Sequence, residues 1–75
     1  MNKPTLLQIK KTIKKAHPKM TGLKVVWVKR PFWLETKSGF TGWWSRVEVR
    51  ADGYAAKVMP ATIGENGAGR LCIGQ

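Results

Sequence analysis

The side chains that most often carry out catalysis are scarce in this chain. His17 is the one histidine and Cys72 the one cysteine, and their positions in the sequence do not bring them together as a base and a nucleophile. The four carboxylates lack the spacing of metal ligands. We therefore expect no enzymatic activity, no bound metal and no cofactor, and we interpret Cys72 as a small buried side chain.

One glycine-rich segment invites comparison with a phosphate-binding loop. It covers residues 63–70, but it lacks the Lys-Ser/Thr pair with which a P-loop holds a nucleotide. Residues 60–69 contain three glycines and Pro60, so we predict a flexible loop there.

Positive charge is the chemical feature that stands out. Lys and Arg number 14 against 4 Asp and Glu, which gives a formal net charge of +10. Residues 1–30 hold nine of the cations and no acid, whereas residues 31–75 hold five cations and four acids, a net charge of +1. This asymmetry indicates an anionic partner.

Two kinds of residue suit binding to a nucleic acid. The lysines of the N-terminal part would contact phosphates, because Lys is a point charge without the bidentate geometry that reads bases. Trp44 and Arg46 are two positions apart and so share one face of a strand. They would offer a ring and a guanidinium group on which bases stack. The candidate nucleic-acid-binding residues are Lys10, Lys11, Lys14, Lys15, Lys19, Lys24, Lys29, Arg30, Trp44, Arg46 and Arg50.

The leading hypothesis is therefore a small basic nucleic-acid-binding protein, with DNA favoured over RNA on general frequency alone. The alternative is a small interaction or inhibitor protein that docks on an acidic or nucleic-acid-handling protein partner. Attachment to a membrane surface through an N-terminal helix is a third hypothesis. In so small a protein, however, aromatic residues more often fill the core than bind a ligand.

The N-terminal lysines need an element that holds them, and residues 5–16 are predicted to form a helix. Thr5 and Gln8 fit a capping box at its start. Apolar residues then recur at spacings of three and four on one stripe, and they are Leu6, Ile9, Ile13 and Ala16. His17 precedes a proline, which disfavours helical backbone and should end the helix.

The Asp52-Gly53 pair predicts a two-residue hairpin turn. In the simplest register, Ala51 pairs with Tyr54, and Glu48 lies opposite Lys57 as a favourable ion pair. The apolar face of this hairpin would consist of Val47, Val49, Ala51, Tyr54, Ala56 and Val58.

A second hairpin is predicted around residues 37–39, with a glycine in the left-handed position of the turn. It would pair Phe32 with Trp44, which shares a face with Arg46 and with Phe40. A bulge at the glycine of position 42 would reverse these faces.

These elements predict an α+β fold, in which an N-terminal helix packs on a four- or five-stranded antiparallel β-meander that could curl toward a small barrel. Residues 1–75 would form a single small domain. The expected strands cover residues 23–29, 32–36, 40–51 and 54–59, with residues 70–73 as a candidate closing strand. A lone cysteine and the lack of a secretory signal or a transmembrane segment indicate a cytoplasmic protein.

Overall fold

The structure is a computed structural model that describes residues 3–65 and 69–74. In chain order it contains one helix, α1 (Leu6–Ala16), and four strands, β1 (Lys24–Glu35), β2 (Thr41–Ala51), β3 (Tyr54–Gly64) and β4 (Leu71–Ile73). The strands form one antiparallel sheet in the order β1-β2-β3-β4, which is not closed into a barrel. The predicted α+β fold is confirmed.

Helix α1 begins after Thr5, whose Oγ1 accepts a hydrogen bond from the backbone N–H of Gln8 at 3.1 Å. It ends at Ala16 and contains 11 residues, which is too few for a stable isolated helix. Its stability must therefore come from the apolar stripe, on which Ile9 and Ile13 are buried. No helix in the described part of the chain is long and apolar enough to cross a membrane.

Helix α1 covers one face of the sheet, which we call the helix face. The buried core there consists of Ile9, Ile13, Leu23, Val47, Val49 and Ala61. Ser45 is buried among them, and its hydroxyl donates to the carbonyl of Ala61 at 2.6 Å. The opposite face, which we call the open face, carries the alternate residues of the strands and is covered by no described element.

Strand β1 is one continuous strand, whereas the sequence predicts two strands on either side of Pro31. Two one-residue bulges interrupt its pairing with β2, one between Trp27 and Lys29 and one between Lys29 and Phe32. Pro31 lies in the second bulge and on an edge strand, where a missing N–H is tolerated. Because the bulges add two residues in total, β1 keeps the same alternation of faces on both sides of them.

The hairpin between β1 and β2 has the predicted register. Phe32 lies opposite Trp44 and Trp33 opposite Trp43, and the pairing of β2 with both neighbours passes through Gly42 without a bulge. A Cβ at Gly42 would overlap the backbone of β3, so glycine is needed there for the close approach of the two strands.

The Asp52-Gly53 turn is confirmed, but the register beyond it is shifted by one residue from the prediction. Ala51 pairs with Tyr54 as expected, whereas Val49 pairs with Lys57, because β3 has one extra residue between these two pairs. A shift of one residue reverses the face of every later side chain in β3.

The predicted apolar face of β3 is therefore wrong. Glu48 lies opposite Val58 instead of Lys57, and Val58 is on the open face, where it is 49% exposed. Tyr54 and Ala56, which the prediction placed on the apolar face, are also exposed. The helix face of β3 is formed instead by Met59, Ala61 and Ile63.

Strand β3 also continues through residues 60–64, where the sequence predicts the start of a loop. The carbonyl of Pro60 points toward β4 and accepts a hydrogen bond from the N–H of Gly74 at 2.9 Å. The N–H that Pro60 lacks would point to the same side, where β4 has already ended, so little pairing is lost. Residues 66–68 of the predicted loop lie outside the described residues.

The β2–β3 turn is anchored to the segment between α1 and β1. The N–H of Asp52 donates to the carbonyl of Thr21 at 2.9 Å, and the Thr21 hydroxyl donates to the Asp52 carboxylate at 3.3 Å. Gly22 has a φ of +66°, and a Cβ built there would overlap the Asp52 carboxylate. Glycine at position 22 therefore serves both the backbone conformation and the contact.

Gly22→Ala should destabilise the protein more than Gly53→Ala. Both glycines have positive φ, but nothing lies within 4 Å of a Cβ at Gly53. Gly53→Ala should lower the free energy of unfolding by about 1–2 kcal/mol through backbone strain, and Gly22→Ala by about 1 kcal/mol more, because the Thr21–Asp52 hydrogen bond is lost. Urea denaturation measures both losses. An extra loss that persists in an Asp52→Ala background would show that the carboxylate is not the obstacle.

The register of β3 can be tested with two isosteric substitutions. Val47 is fully buried on the helix face, whereas Val58 is half-exposed on the open face. Val47→Thr should lower the free energy of unfolding by about 1–3 kcal/mol, because its hydroxyl is buried without a partner. Val58→Thr should change it by less than about 0.5 kcal/mol. Equal losses at the two positions would support the register in which both valines are buried.

Candidate nucleic-acid interface

Two aromatic rings pack together on the open face. The rings of Phe32 and Trp44 meet across β1 and β2, with centroids 5.8 Å apart and planes at 60°. Both side chains are half-buried. The Phe40 ring lies beside them along the strand, since a Cβ built on Gly64 of this face would be 3.5 Å from its edge. Trp44 and Phe40 therefore share the face that the hairpin register predicts.

A cation packs on each ring of the pair. Nζ of Lys29 lies 5.0 Å from the centroid of the Phe32 ring, and Cζ of Arg46 lies 5.2 Å from the centroid of the Trp44 ring. The rings thus lie within reach of two positive charges. A stacked base and its adjoining phosphate could be bound by the same four side chains.

Cations also oppose each other across β1 and β2. Lys29 lies opposite Arg46, and Lys24 lies opposite Arg50. Like charges directly opposite each other destabilise a sheet, by an amount comparable to the roughly 0.2–1 kcal/mol of other cross-strand pairs. The open face therefore carries a repulsion that a bound anion would relieve.

One acidic residue, Glu48, lies between these two cross-strand pairs of cations. Oε1 of Glu48 accepts a hydrogen bond from Nε of Arg50 at 2.8 Å. The Arg50 side chain is 65% exposed, so this ion pair contributes little to stability. Val26 and Val58 flank Glu48 on the neighbouring strands, and both are about half-exposed. The described part of the open face is therefore positively charged, with apolar patches.

The lysines of α1 form a separate surface. Lys10, Lys11 and Lys14 line a shallow groove between α1 and the start of β1, together with the exposed side chain of Leu7. Nζ of Lys14 donates to the carbonyl of Met20 at 3.0 Å, which holds this side chain beside the groove. We call this surface the helix groove. Helix α1 contains no acidic residue that would neutralise it.

The candidate residues therefore lie on two surfaces. The open face holds Lys24, Lys29, Trp44, Arg46 and Arg50. The helix groove holds Lys10, Lys11 and Lys14. The other three candidates are exposed but belong to neither the open face nor the helix groove, and they are Lys15, Lys19 and Arg30. The charge pattern along the chain cannot reveal this separation, because it does not say on which face of the sheet the helix packs.

Two residues outside the predicted set also contact aromatic rings. Phe32 belongs to the ring pair on the open face, and the predicted hairpin register was the signal that could have included it. Nζ of Lys3 lies 5.3 Å from the Trp43 ring, which packs edge-on against Trp33 on the helix face. No spacing in the sequence marks this contact.

His17 and Cys72 lie on opposite sides of the sheet. His17 follows the end of α1, whereas Cys72 is opposite Thr62 on the open face, where it is exposed. The expectation of a buried Cys72 is wrong, because β4 directs this residue to the uncovered face. Within residues 3–65 and 69–74, no three His, Cys, Asp or Glu side chains are grouped so that they could hold a metal ion.

Known proteins offer no comparison for these surfaces. No protein-family model, curated protein or solved structure matches the chain. Its function must therefore be inferred from the contacts, charges and exposure of the described residues.

The opposed cations predict a salt-dependent effect on stability. Lys24→Gln removes one like-charge pair, so it should raise the free energy of unfolding by up to about 1 kcal/mol at low ionic strength. In about 1 M salt the Debye length is about 3 Å, and the gain should disappear. Lys37→Gln, in the β1–β2 turn, makes the same change of charge without an opposed cation. Urea denaturation at both salt concentrations compares the variants, and equal gains would implicate net charge alone.

Proposed function

We propose that the protein binds single-stranded nucleic acid on the open face of its sheet. The observation that carries the proposal is the Phe32–Trp44 ring pair with Lys29 and Arg46 packed on it, on a face that no described element covers. Stacking of a base on an aromatic side chain contributes roughly 1–3 kcal/mol, and it requires bases that are not already paired in a duplex.

The opposed cations support the same proposal. In the free protein, Lys29 and Arg46 repel each other across the strands, and so do Lys24 and Arg50, although the Glu48 carboxylate beside Arg50 offsets part of the second repulsion. Phosphates bound between them would turn this repulsion into attraction. Binding of this kind is strongly salt-dependent, because each neutralised phosphate releases a counterion.

The proposed binding has little dependence on base sequence. Rings accept every base by stacking, and lysines contact the backbone, which carries no sequence information. DNA is favoured over RNA on general frequency alone, since none of these contacts reads a 2′-hydroxyl. We propose that the protein binds without catalysis and that it is cytoplasmic, since a free thiol such as that of Cys72 is kept reduced there.

Trp44→Ala should weaken binding to a short labelled oligo(dT), measured by fluorescence anisotropy. Loss of one stacking interaction should raise the dissociation constant about 5- to 150-fold. Trp33→Ala is the matched control, because this indole is 43% exposed but lies on the helix face. It should leave the dissociation constant unchanged. Equal losses for the two variants would mean that the open face is not the binding surface.

A salt series and three oligonucleotides complete this test. About four phosphate contacts predict a slope near −2.8 for log affinity against log salt on a single strand, and Arg46→Gln should reduce it by about 0.7. Oligo(dT), oligo(U) and a DNA duplex distinguish the strand type. Equal affinity for the duplex, or no binding at low salt, would overturn the proposal.

An acidic protein partner is the second candidate, as expected for a small interaction or inhibitor protein. It is favoured by the exposed side chains of Val26 and Val58, which lie between the cations on the open face. Apolar residues bordered by charge are typical of protein interfaces. Failure of every oligonucleotide to bind at low salt would favour this candidate.

A further inference from the structure

The open face and the helix groove lie on different sides of the sheet. Helix α1 packs on the helix face through Ile9 and Ile13, so its lysines project from its solvent-exposed sides. The Phe32–Trp44 pair projects from the opposite face of the sheet. Two positively charged surfaces are therefore separated by the sheet and its helix, and the net charge of +10 is divided between them.

The helix groove has the chemistry of a phosphate site without the means to read or stack bases. Lys10, Lys11 and Lys14 are its charged residues, and helix α1 contains neither an aromatic nor an acidic side chain. Lys14 is already held at the groove by its hydrogen bond to the Met20 carbonyl, which reduces the entropy that binding would cost. Such a surface binds the backbone of either a single strand or a duplex.

The sheet lies between the two surfaces, and the groove adjoins the start of β1 at an edge of the sheet. A strand stacked on Trp44 would have to pass around that edge to lie along Lys10 and Lys11 as well.

We infer that the protein bridges two nucleic-acid segments. One segment would be single-stranded and stacked on Trp44 at the open face, and the other would be held by its phosphates at the helix groove. This inference rests on the proposed function of the open face. The groove contact lacks stacking, so at a given salt concentration it is the weaker of the two contacts. Rising salt should therefore release the segment at the groove first, although its slope, near −2.1 for three lysines on a single strand, is shallower than the slope near −2.8 of the open face.

The experiment uses an oligo(dT) of about eight nucleotides, a length that fits a single binding site. One population carries a donor dye and the other an acceptor dye. Energy transfer between them at protein saturation reports a bridge, and sedimentation of the complex gives its stoichiometry. Lys10→Glu with Lys11→Glu reverses the charge of the groove. Lys37→Glu with Lys57→Glu changes the net charge equally at exposed positions outside both surfaces.

We expect one wild-type chain to bind two oligonucleotides and to give energy transfer. The groove variant should bind one oligonucleotide without energy transfer, and the control variant should behave as the wild type. Lys10→Gln with Lys11→Gln repeats the test with a smaller change if the reversed charges unfold the helix, which circular dichroism would show.

Three results would overturn the bridge. The first is that the wild type binds a single oligonucleotide whose affinity falls in the groove variant, which would indicate one strand wrapped around the β1 edge. The second is a complex of two chains with two oligonucleotides. The third is an equal loss of binding in the control variant. No binding of any oligonucleotide at low salt would be a different failure, because it would remove the proposed function itself.

Discussion

The helix of this protein is much shorter than the three long strands of the sheet, β1, β2 and β3. Eleven helical residues span about 16 Å, whereas the eleven residues of β2 span about 36 Å. One such helix buries only part of one face of the sheet. Beyond its reach, the aromatic rings cover each other: Phe32 packs on Trp44 at the open face, and Trp33 packs on Trp43 at the helix face. Three of the four tryptophans belong to these two ring pairs, whereas Trp27 packs against the core.

Ring pairing by itself does not distinguish the two faces, but the surrounding charge does. On the helix face, Nε1 of Trp33 donates to the Glu35 carboxylate at 3.3 Å, and Lys3 lies over Trp43, so the charges there are mixed. On the open face, the side chains packed on the rings are both cations, and each also opposes the other across the strands. Stability alone would favour opposite charges at such positions. The contacts of Lys29 and Arg46 with the rings offset part of this repulsion. Local rules of this kind are most often broken at functional surfaces.

The helix, the β1–β2 hairpin and the sheet face on which the helix packs were predictable from the sequence, whereas the register of β3 was not. The helix and the pairing of Phe32 with Trp44 follow from capping, periodicity and turn residues. The extra residue in β3 could not be predicted from the sequence, because Ala55 and Ala56 fit equally well on either face. Its effect is to move Val58 to the open face. The separation of the lysines from Trp44 depends on the side on which α1 packs. The charge pattern alone does not give that side, but the alternation that puts Val47 and Val49 on the face opposite Trp44 indicates it.

The ion pair between Glu48 and Arg50 has a consequence for selectivity. Glu48 is a carboxylate covalently held beside a cation, so its effective concentration at Arg50 far exceeds that of free anions in solution. If the open face binds a polyanion as proposed, Glu48 would compete with it at Arg50. A monovalent anion would displace the carboxylate poorly, whereas a polyanion that engages several cations at once would displace it, so the face would discriminate among anions by their valence.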